Sequence, residues 1–219
     1  MDTKAKVKLG PFSRGGISRG RRATRAADHD MHVEATLTPV GILEVDANQL
    51  NILFGTSRAT SDFVADALEQ WWVTRKTAHS GIDRLLIDLD NGPHVASSRT
   101  QFMKRMVDFS DRHQLTIELV YYPPYHSKYN PVERCWGILE NHWNGTLLSS
   151  IEVTLAWAAS MTWRGVQPIV QLSQQVYETG VRMSKQAFAS VAARLQRPAQ
   201  LPRWSVIIEP QPAPTVCIH

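Results

Sequence analysis

The sequence predicts an α/β domain with a mixed sheet flanked by helices, followed by extra helices in the C-terminal part. Short apolar segments rich in Val, Ile and Leu alternate with longer segments in which apolar residues recur every three or four positions. A pair of strands comes first, and later strands are followed by helices, which is the order expected of a mixed sheet covered by helices. With 219 residues, of which 43% are hydrophobic, the chain is long enough for one well-cored domain.

The first elements predicted are a hairpin and a helix. Residues 38–46 and 50–55 are dominated by branched and aromatic side chains, and Asp and Asn at the turn between them mark a chain reversal. Residues 60–62 then offer an N-cap to an amphipathic helix, in which Trp71 and Trp72 are expected to lie in the core.

The middle of the chain predicts a strand, a helix and a second strand, at residues 84–90, 98–112 and 115–122. Helical patterns follow at residues 131–142, 150–163, 167–178 and 184–196. Ser149 and Glu152 form a capping-box pattern at the start of the second of these helices. The segment 204–209 is expected to add an edge strand or to dock as an extended tail.

Positive charge is concentrated near the N-terminus. Residues 3–27 contain eight Lys and Arg residues and no acid, although the net charge of the whole chain is only +4. The segment is also rich in Gly and Ser, so it fits either a solvated basic loop or, beside a phosphodiester site, a flexible arm that follows a phosphate backbone. The side chains expected to contact nucleic acid are those of Lys4, Lys6, Arg14, Arg19, Arg21, Arg22 and, in a later loop, Lys128.

The sequence carries no sign of export or of membrane insertion. Its two cysteines, Cys135 and Cys217, fit neither a metal-binding spacing nor a disulfide framework, so a reducing cytoplasm is the expected location. No apolar stretch approaches the roughly 20 residues of a membrane helix, and charged residues stand where a signal peptide has its apolar core. We therefore expect neither a membrane partner nor a small-molecule cofactor.

Two acidic positions carry the strongest functional signal. Asp90, in Leu-Asp-Asn-Gly-Pro at residues 89–93, ends a buried strand at the sheet edge where α/β folds usually bind ligands. Glu133 lies in the first turn of the helix that follows an Asn-Pro pair. Carboxylates held on rigid elements are the ligands that Mg²⁺ or Mn²⁺ requires, so this pair predicts phosphoryl-transfer chemistry.

Each acid also has a plainer interpretation and a neighbour that could replace it. Asp90 before Asn-Gly fits an ordinary turn former, and Glu133 fits a first-turn acid favoured by the helix dipole. Asp88 shares a strand face with Asp90, and Glu140 lies on nearly the same helix face as Glu133. Both neighbours are therefore alternative ligands.

Five motifs spread along the chain carry a family resemblance. They are Asp-Thr-Lys-Ala-Lys-Val-Lys at 2–8, Asn-Gly-Pro at 91–93, Tyr-Tyr-Pro-Pro-Tyr-His-Ser-Lys-Tyr-Asn-Pro-Val-Glu-Arg at 121–134, His-Trp-Asn-Gly at 142–145 and Trp-Ser-Val-Ile-Ile-Glu-Pro at 204–210. In these motifs the chain resembles the insertion-sequence transposases that have an RNase H-like catalytic core and a DDE triad. The resemblance is closest to the Rhodopirellula-type group, which is related to mariner-like elements.

The resemblance implies a triad of Asp2, Asp90 and Glu133 that is both catalytic and metal-binding. The implied cofactor is Mg²⁺ or Mn²⁺, with two ions expected. The implied reaction is cleavage of a DNA strand followed by strand transfer, both of which are displacements at phosphorus. The implied partners are DNA, as transposon ends and as target, and a second copy of the chain in a homodimer.

We expect the chain to consist of four parts. Residues 1–36 are expected to be a basic arm with the first acid, 37–145 the RNase H-like catalytic core, 146–200 a C-terminal helical part of the same domain, and 201–219 an extended tail. In the family the first Asp follows the rest of its own strand, so the chain is expected to be N-terminally truncated, with a catalytically inactive, nucleic-acid-binding or oligomerising remnant as the alternative function.

Several further residues near the motifs are open to two interpretations. Asp46, at the end of a hairpin strand, is the alternative to Asp2 as a metal ligand. His94 and His126 are candidates for contact with DNA or a leaving group, and Tyr125 and Tyr129 for stacking on bases, although such side chains more often have structural roles. Two tryptophans spaced by seven residues, Trp136 and Trp143, are expected to lie in the core.

Overall fold

The computed structural model describes residues 1–17, 25–29, 33–123 and 129–212. In chain order these residues form β1 (Asp2–Thr3), β2 (Val7–Leu9), β3 (Ala35–Glu44), β4 (Gln49–Gly55), α1 (Ser61–Arg75), β5 (Arg84–Leu89), α2 (Thr100–His113), β6 (Thr116–Tyr121), α3 (Pro131–His142), α4 (Ile151–Ser160), β7 (Ile169–Ser173), α5 (Lys185–Ala192) and β8 (Ser205–Ile208). This mixture of strands and helices confirms the predicted α/β class. Across the described ranges, no helix combines the length and the apolar character needed to cross a membrane.

The described residues gather into two compact units. The first contains residues 1–59 and 131–177, and the second contains the described parts of 60–130 and 178–219. These units do not follow the four parts expected from the sequence, because each unit is made of two separate stretches of chain. The division into arm, core, helical part and tail stays a prediction.

The first unit is built on a sheet of five strands. β3 and β4 form the predicted antiparallel hairpin, and β1 and β2 pair antiparallel with β3. β7 pairs parallel with β4 on the other side. The core forms where apolar side chains of this sheet, such as Leu37 and Phe54, pack with Trp136 and Leu139 of α3 and with Trp143, the residue directly after the helix. Trp136 and Trp143 are buried, which confirms the prediction that they lie in the core.

Three apolar side chains of the basic segment are packed into the first unit. Val7 and Leu9 of β2 are buried, and so is Phe12, which forms an isolated β-bridge with Ala27. Alternation of apolar and charged residues at 7–9 puts the apolar side chains on one face of the added strand. Residues 18–24 and 30–32 of the segment lie outside the described residues.

The second unit contains a three-stranded sheet. β5 pairs parallel with β6, and β6 pairs antiparallel with β8, which confirms the predicted edge strand at 204–209. Helices α1 and α2 are joined by Arg105, which pairs with Asp62 at 2.9 Å and with Asp66 at 2.5 Å. Trp71 and Trp72 of α1 are buried, as predicted, and Thr60 caps α1 by accepting a hydrogen bond from the Phe63 amide.

Three details of the C-terminal half differ from the sequence prediction. The helix predicted at 167–178 is wrong, because Ile169–Ser173 is strand β7, paired with β4. Helix α4 is capped by Ser150, whose Oγ accepts from the Val153 amide at 3.3 Å, and not by Ser149. Helix α5 covers only Lys185–Ala192 of the predicted 184–196.

Candidate catalytic site

Asp2 lies at the start of β1 with only 9% of its surface exposed. Its strand is held to β3 by antiparallel pairing, in which Asp2 faces Gly41, and by the Lys4 amide, which donates to the Pro39 carbonyl at 3.0 Å. Its carboxylate Oδ2 accepts a hydrogen bond of 2.9 Å from the indole Nε1 of Trp136. The first predicted acid is thus held through both its backbone and its side chain.

A close approach between α3 and β3 puts this indole beside Asp2. A Cβ atom on Gly41 would lie 2.6 Å from Cζ2 and 2.8 Å from Cη2 of Trp136, and 2.9 Å from Cγ1 of Val132. Any side chain at Gly41 would therefore displace the indole or the helix. Because Gly41 is the cross-strand partner of Asp2, the ring that packs on the glycine also reaches the carboxylate.

Glu133 lies in the first turn of α3, three residues before Trp136. Residues three apart on a helix are neighbours on its surface, so Glu133 is one turn from the indole that binds Asp2. Pro131 begins the helix, a position that suits proline because its missing N–H has no helical partner there. The first unit therefore holds Asp2 against the helix whose first turn carries Glu133.

Asp90 directly follows β5 in the second unit, at the start of a loop closed by its own backbone. The Ala96 amide donates to the Gly92 carbonyl at 2.9 Å, and the Ser97 amide donates to Oδ1 of Asn91 at 3.2 Å. A Cβ atom on Gly92 would lie 2.8 Å from Oδ2 of Asp90. Hydrogen bonds to the Asn91 side chain and the Gly92 carbonyl thus close the loop, and the lack of a side chain at Gly92 leaves room for the Asp90 carboxylate.

His94 lies in the same loop as Asp90. Burial lowers the pKa of His94, the charge of Arg99 lowers it further, and the negative charge of Asp90 opposes both effects. Its backbone carbonyl accepts a hydrogen bond of 2.7 Å from Oγ of Ser61, which ties the loop to α1. The imidazole is therefore neutral at pH 7 and can donate or accept one hydrogen bond.

Glu140, the alternative to Glu133, is occupied by other partners. Its carboxylate pairs with Lys4 at 2.7 Å and with Arg14 at 3.6 Å, and it accepts a hydrogen bond of 2.7 Å from Nε1 of Trp143. Two cations thus already balance its charge. Glu140 joins the N-terminal segment to α3, and this role accounts for an acid at that position without a metal.

The other two alternative ligands are Asp88, which interacts with the phenol of Tyr122, and Asp46. Burial raises the pKa of the Tyr122 phenol to about 12, with further contributions from the charge of Asp88 and a hydrogen bond to it. Asp46 is exposed in the turn after β3, five residues beyond Gly41, so the spacing of about 3.3 Å per strand residue puts it roughly 17 Å from the level of Asp2. Asp46 therefore lies far from Asp2 along the sheet, and its role as an alternative ligand stays a prediction.

Among the residues expected to contact nucleic acid, Lys4 and Arg14 are mostly buried. Their side chains are 12% and 15% exposed, and the guanidinium of Arg14 also lies over the Trp143 ring, 5.3 Å from its centroid. Lys6 is exposed. The others on that list, Arg19, Arg21, Arg22 and Lys128, lie outside the described residues, as do Tyr125 and His126.

The donor chemistry of the first unit fits a magnesium or manganese ion. Within the described ranges, no three His, Cys, Asp or Glu side chains lie close enough together to hold a metal ion. Asp2 and Glu133 nevertheless offer hard carboxylate oxygens, and Mg²⁺ is usually held by one or two carboxylates together with water and substrate phosphates. These two residues are suitable as the protein's share of such a site.

Sequence reasoning assigned Trp136 to the core and missed its hydrogen bond to Asp2. The available signal was its indole N–H, which needs an acceptor when the ring is buried. Sequence reasoning also missed the pairing of Lys4 with Glu140, because it treated the two residues as a DNA contact and a spare metal ligand.

A comparison with protein-family models gives a match over most of the chain. The model described as Rhodopirellula transposase DDE domain matches residues 1–210, which include Asp2, Asp90 and Glu133. No curated protein shows a significant match to the chain. The match covers stretches of both compact units, so it does not depend on one motif or one unit. The chain therefore belongs to the Rhodopirellula transposase DDE domain family.

Proposed function

We propose that the chain is the catalytic domain of a transposase, which cuts a DNA strand and joins the new end to a target strand. The proposed fold is RNase H-like, and the proposed catalytic acids are Asp2, Asp90 and Glu133, acting with two Mg²⁺ or Mn²⁺ ions. The observation that carries the proposal is the family match over residues 1–210. The hydrogen bond between Asp2 and Trp136 supports the proposal, because it connects Asp2 to α3, the helix that carries Glu133.

The three acids have a shared role in this proposal. The carboxylates of Asp2, Asp90 and Glu133 would bind the metal ions and orient the phosphate. Bound ions would lower the pKa of the attacking water and neutralise the charge that develops on the phosphate oxygens.

A covalent enzyme intermediate is not needed for this reaction, and the described cysteine does not suit one. Burial raises the pKa of the Cys135 thiol to about 12, although the nearby charge of Arg164 opposes the effect. The thiol is therefore protonated at pH 7, and a protonated thiol is a poor nucleophile. Cys135 is fully buried in the core of the first unit, where its role is packing.

The substrate in this proposal is DNA, as transposon ends and as target, and the acting form is a homodimer. Among the described residues expected to contact nucleic acid, Lys6 has the exposure that suits contact with phosphates, since Lys4 and Arg14 are paired with Glu140. Exposed cations near a phosphodiester-cutting site raise the affinity for DNA without selecting a sequence.

The proposal is tested by nicking of supercoiled plasmid DNA in Mg²⁺ or Mn²⁺. We expect Asp90→Asn and Glu133→Gln to reduce nicking to background, because each removes a charged metal ligand while keeping the side-chain shape. Matched controls are Asp88→Asn, in β5 two residues before Asp90, and Glu152→Gln, a first-turn acid of α4. Both controls should nick like the wild type.

Two outcomes contradict the proposal. Equal nicking by all four variants would show that Asp90 and Glu133 are not ligands. A wild-type chain that folds but shows no metal-dependent nicking would favour the alternative of a non-catalytic domain that binds DNA or oligomerises.

A further inference from the structure

We infer that Trp136 is a positioning residue for the first catalytic acid: its indole N–H holds one carboxylate oxygen of Asp2 and so fixes how Asp2 is presented to a metal ion. This inference rests on the proposed function and adds to it a residue that is neither acidic nor part of the triad.

The contact itself is directional and buried. The indole of Trp136 has one donor and no acceptor, and the residue is only 5% exposed, so its N–H needs an acceptor nearby. Oδ2 of Asp2 lies 2.9 Å away, and Asp2 is 9% exposed. A hydrogen bond to a charged carboxylate is stronger than one between neutral groups, and burial excludes water that would compete for it.

The indole can orient Asp2 because its own position is fixed by packing. One edge of the ring lies against Gly41, and a Cβ atom on that glycine would come within 2.6 Å of the ring. Val132 lies beside the ring and would be 2.9 Å from the same Cβ atom. Both Trp136 and Val132 belong to the core cluster of the first unit. A donor that packing holds in one place imposes its direction on its acceptor.

Backbone pairing holds the strand of Asp2 in place but does not set the direction of its carboxylate. β1 contains only Asp2 and Thr3, which pair with Gly41 and Val40. The Asp side chain has two rotatable torsions beyond that backbone. Groups that hydrogen-bond to a metal ligand from outside the coordination shell orient it, and their loss typically costs about 10- to 100-fold in metal affinity. Trp136 provides the orientation that a two-residue strand does not.

Trp143, the residue directly after α3, offers a matched comparison. This residue is also fully buried, and its Nε1 donates to a carboxylate, Oε2 of Glu140, at 2.7 Å. Glu140 is paired with Lys4 and lies outside the proposed triad. Replacement of either tryptophan by phenylalanine removes one buried indole donor, and the two variants remove it from different acids, Asp2 and Glu140.

The test measures Mn²⁺ affinity of the full chain by electron paramagnetic resonance, together with the free energy of unfolding. We expect Trp136→Phe to weaken Mn²⁺ binding by about 10- to 100-fold, the range typical of lost outer-shell partners. Trp143→Phe should bind Mn²⁺ like the wild type while losing a similar amount of stability. The indole ¹⁵N–¹H resonance of Trp136, but not that of Trp143, should shift in Asp2→Asn.

Unchanged Mn²⁺ affinity in Trp136→Phe, with Asp2→Asn still abolishing binding, would overturn this inference alone. Equal weakening in Trp136→Phe and Trp143→Phe would also overturn it, since the loss would then follow general destabilisation. Mn²⁺ affinity that is unaffected by Asp2→Asn, or absent from the wild type, would overturn the proposed function, and with it any positioning role for Trp136.

Discussion

At the residue scale, the indole ring of Trp136 in α3 packs against Gly41 and donates a hydrogen bond to the carboxylate of Asp2. The burial of Trp136 follows from the sequence, because the residue falls on the apolar face of a predicted helix. Its hydrogen bond to Asp2 does not, because the two residues are 134 positions apart and residue spacing describes only neighbours within one element. Asp90 and Glu133 lie, as expected, after a strand and in the first turn of a helix, because local patterns define such boundaries.

The close approach at Gly41 gives a prediction at this scale. Gly41→Ala should lower the free energy of unfolding by about 1–3 kcal/mol, the usual cost of overpacking, because the Trp136 ring and Val132 must move. The measurement is urea denaturation of the full chain. Gly137→Ala is the control. Nothing lies within 4 Å of a Cβ at this helical position, so the free energy of unfolding should rise by about 0.5–1 kcal/mol. An unchanged stability in Gly41→Ala would contradict the described packing of α3 on β3.

At the element scale, the N-terminal strands are held to α3 by Glu140. The sequence predicts a flexible arm here because basic and glycine residues dominate, and it gives no sign of ion pairs that join residues so far apart in the chain. The same limit explains β7: its apolar residues also fit a helical period, and only the parallel pairing with β4 makes it a strand. The predicted hairpin is correct because its two strands and turn are adjacent in sequence.

The Glu140 contacts predict a pH dependence of stability. Burial raises the pKa of Glu140, but the hydrogen bonds from Lys4 and Trp143 and the charges of Lys4 and Arg14 outweigh it, so the pKa lies below its ordinary value of 4.5. A group whose pKa is lowered by folding stabilises the protein above that ordinary value, and the contribution is lost as the pH falls through the lowered pKa. The wild type should therefore lose more stability than Glu140→Gln as the pH falls below 4.5.

Urea denaturation at a series of pH values measures this difference. Lys4→Gln removes the partner instead of the acid, so it should also reduce the pH dependence, and the double variant should show little further change. A Glu140→Gln variant that keeps the full acid sensitivity of the wild type would show that other carboxylates cause it.

At the scale of the whole molecule, the chain forms two units by passing between them at residues 59–60, 130–131 and 177–178. The α/β class is predictable from the order of apolar segments, since it needs only the type and sequence of elements. The unit boundaries are not predictable in this way, because each unit is assembled from stretches that are distant in the chain.

The affinity of the whole chain for DNA should depend on the salt concentration. Binding of a labelled DNA duplex should weaken steeply between about 50 and 200 mM salt, because contacts with phosphates release counterions. Lys6→Ala should reduce the slope of log K against log salt by about 1, as expected when one phosphate contact is lost. Lys4→Ala should leave the slope unchanged, because its ammonium is bound to Glu140. Fluorescence anisotropy measures both, and equal slopes for the two variants would show that Lys6 makes no such contact.

The position of Trp136 three residues after Glu133 has a consequence for the length of the chain between them. An α-helix turns by about 100° per residue. One residue inserted or deleted between Glu133 and Trp136 would therefore rotate one of the two side chains away from the helix face that they now share. The number of residues between Glu133 and Trp136 in α3 is therefore constrained by the helix itself, independently of which side chains stand at the two positions between them.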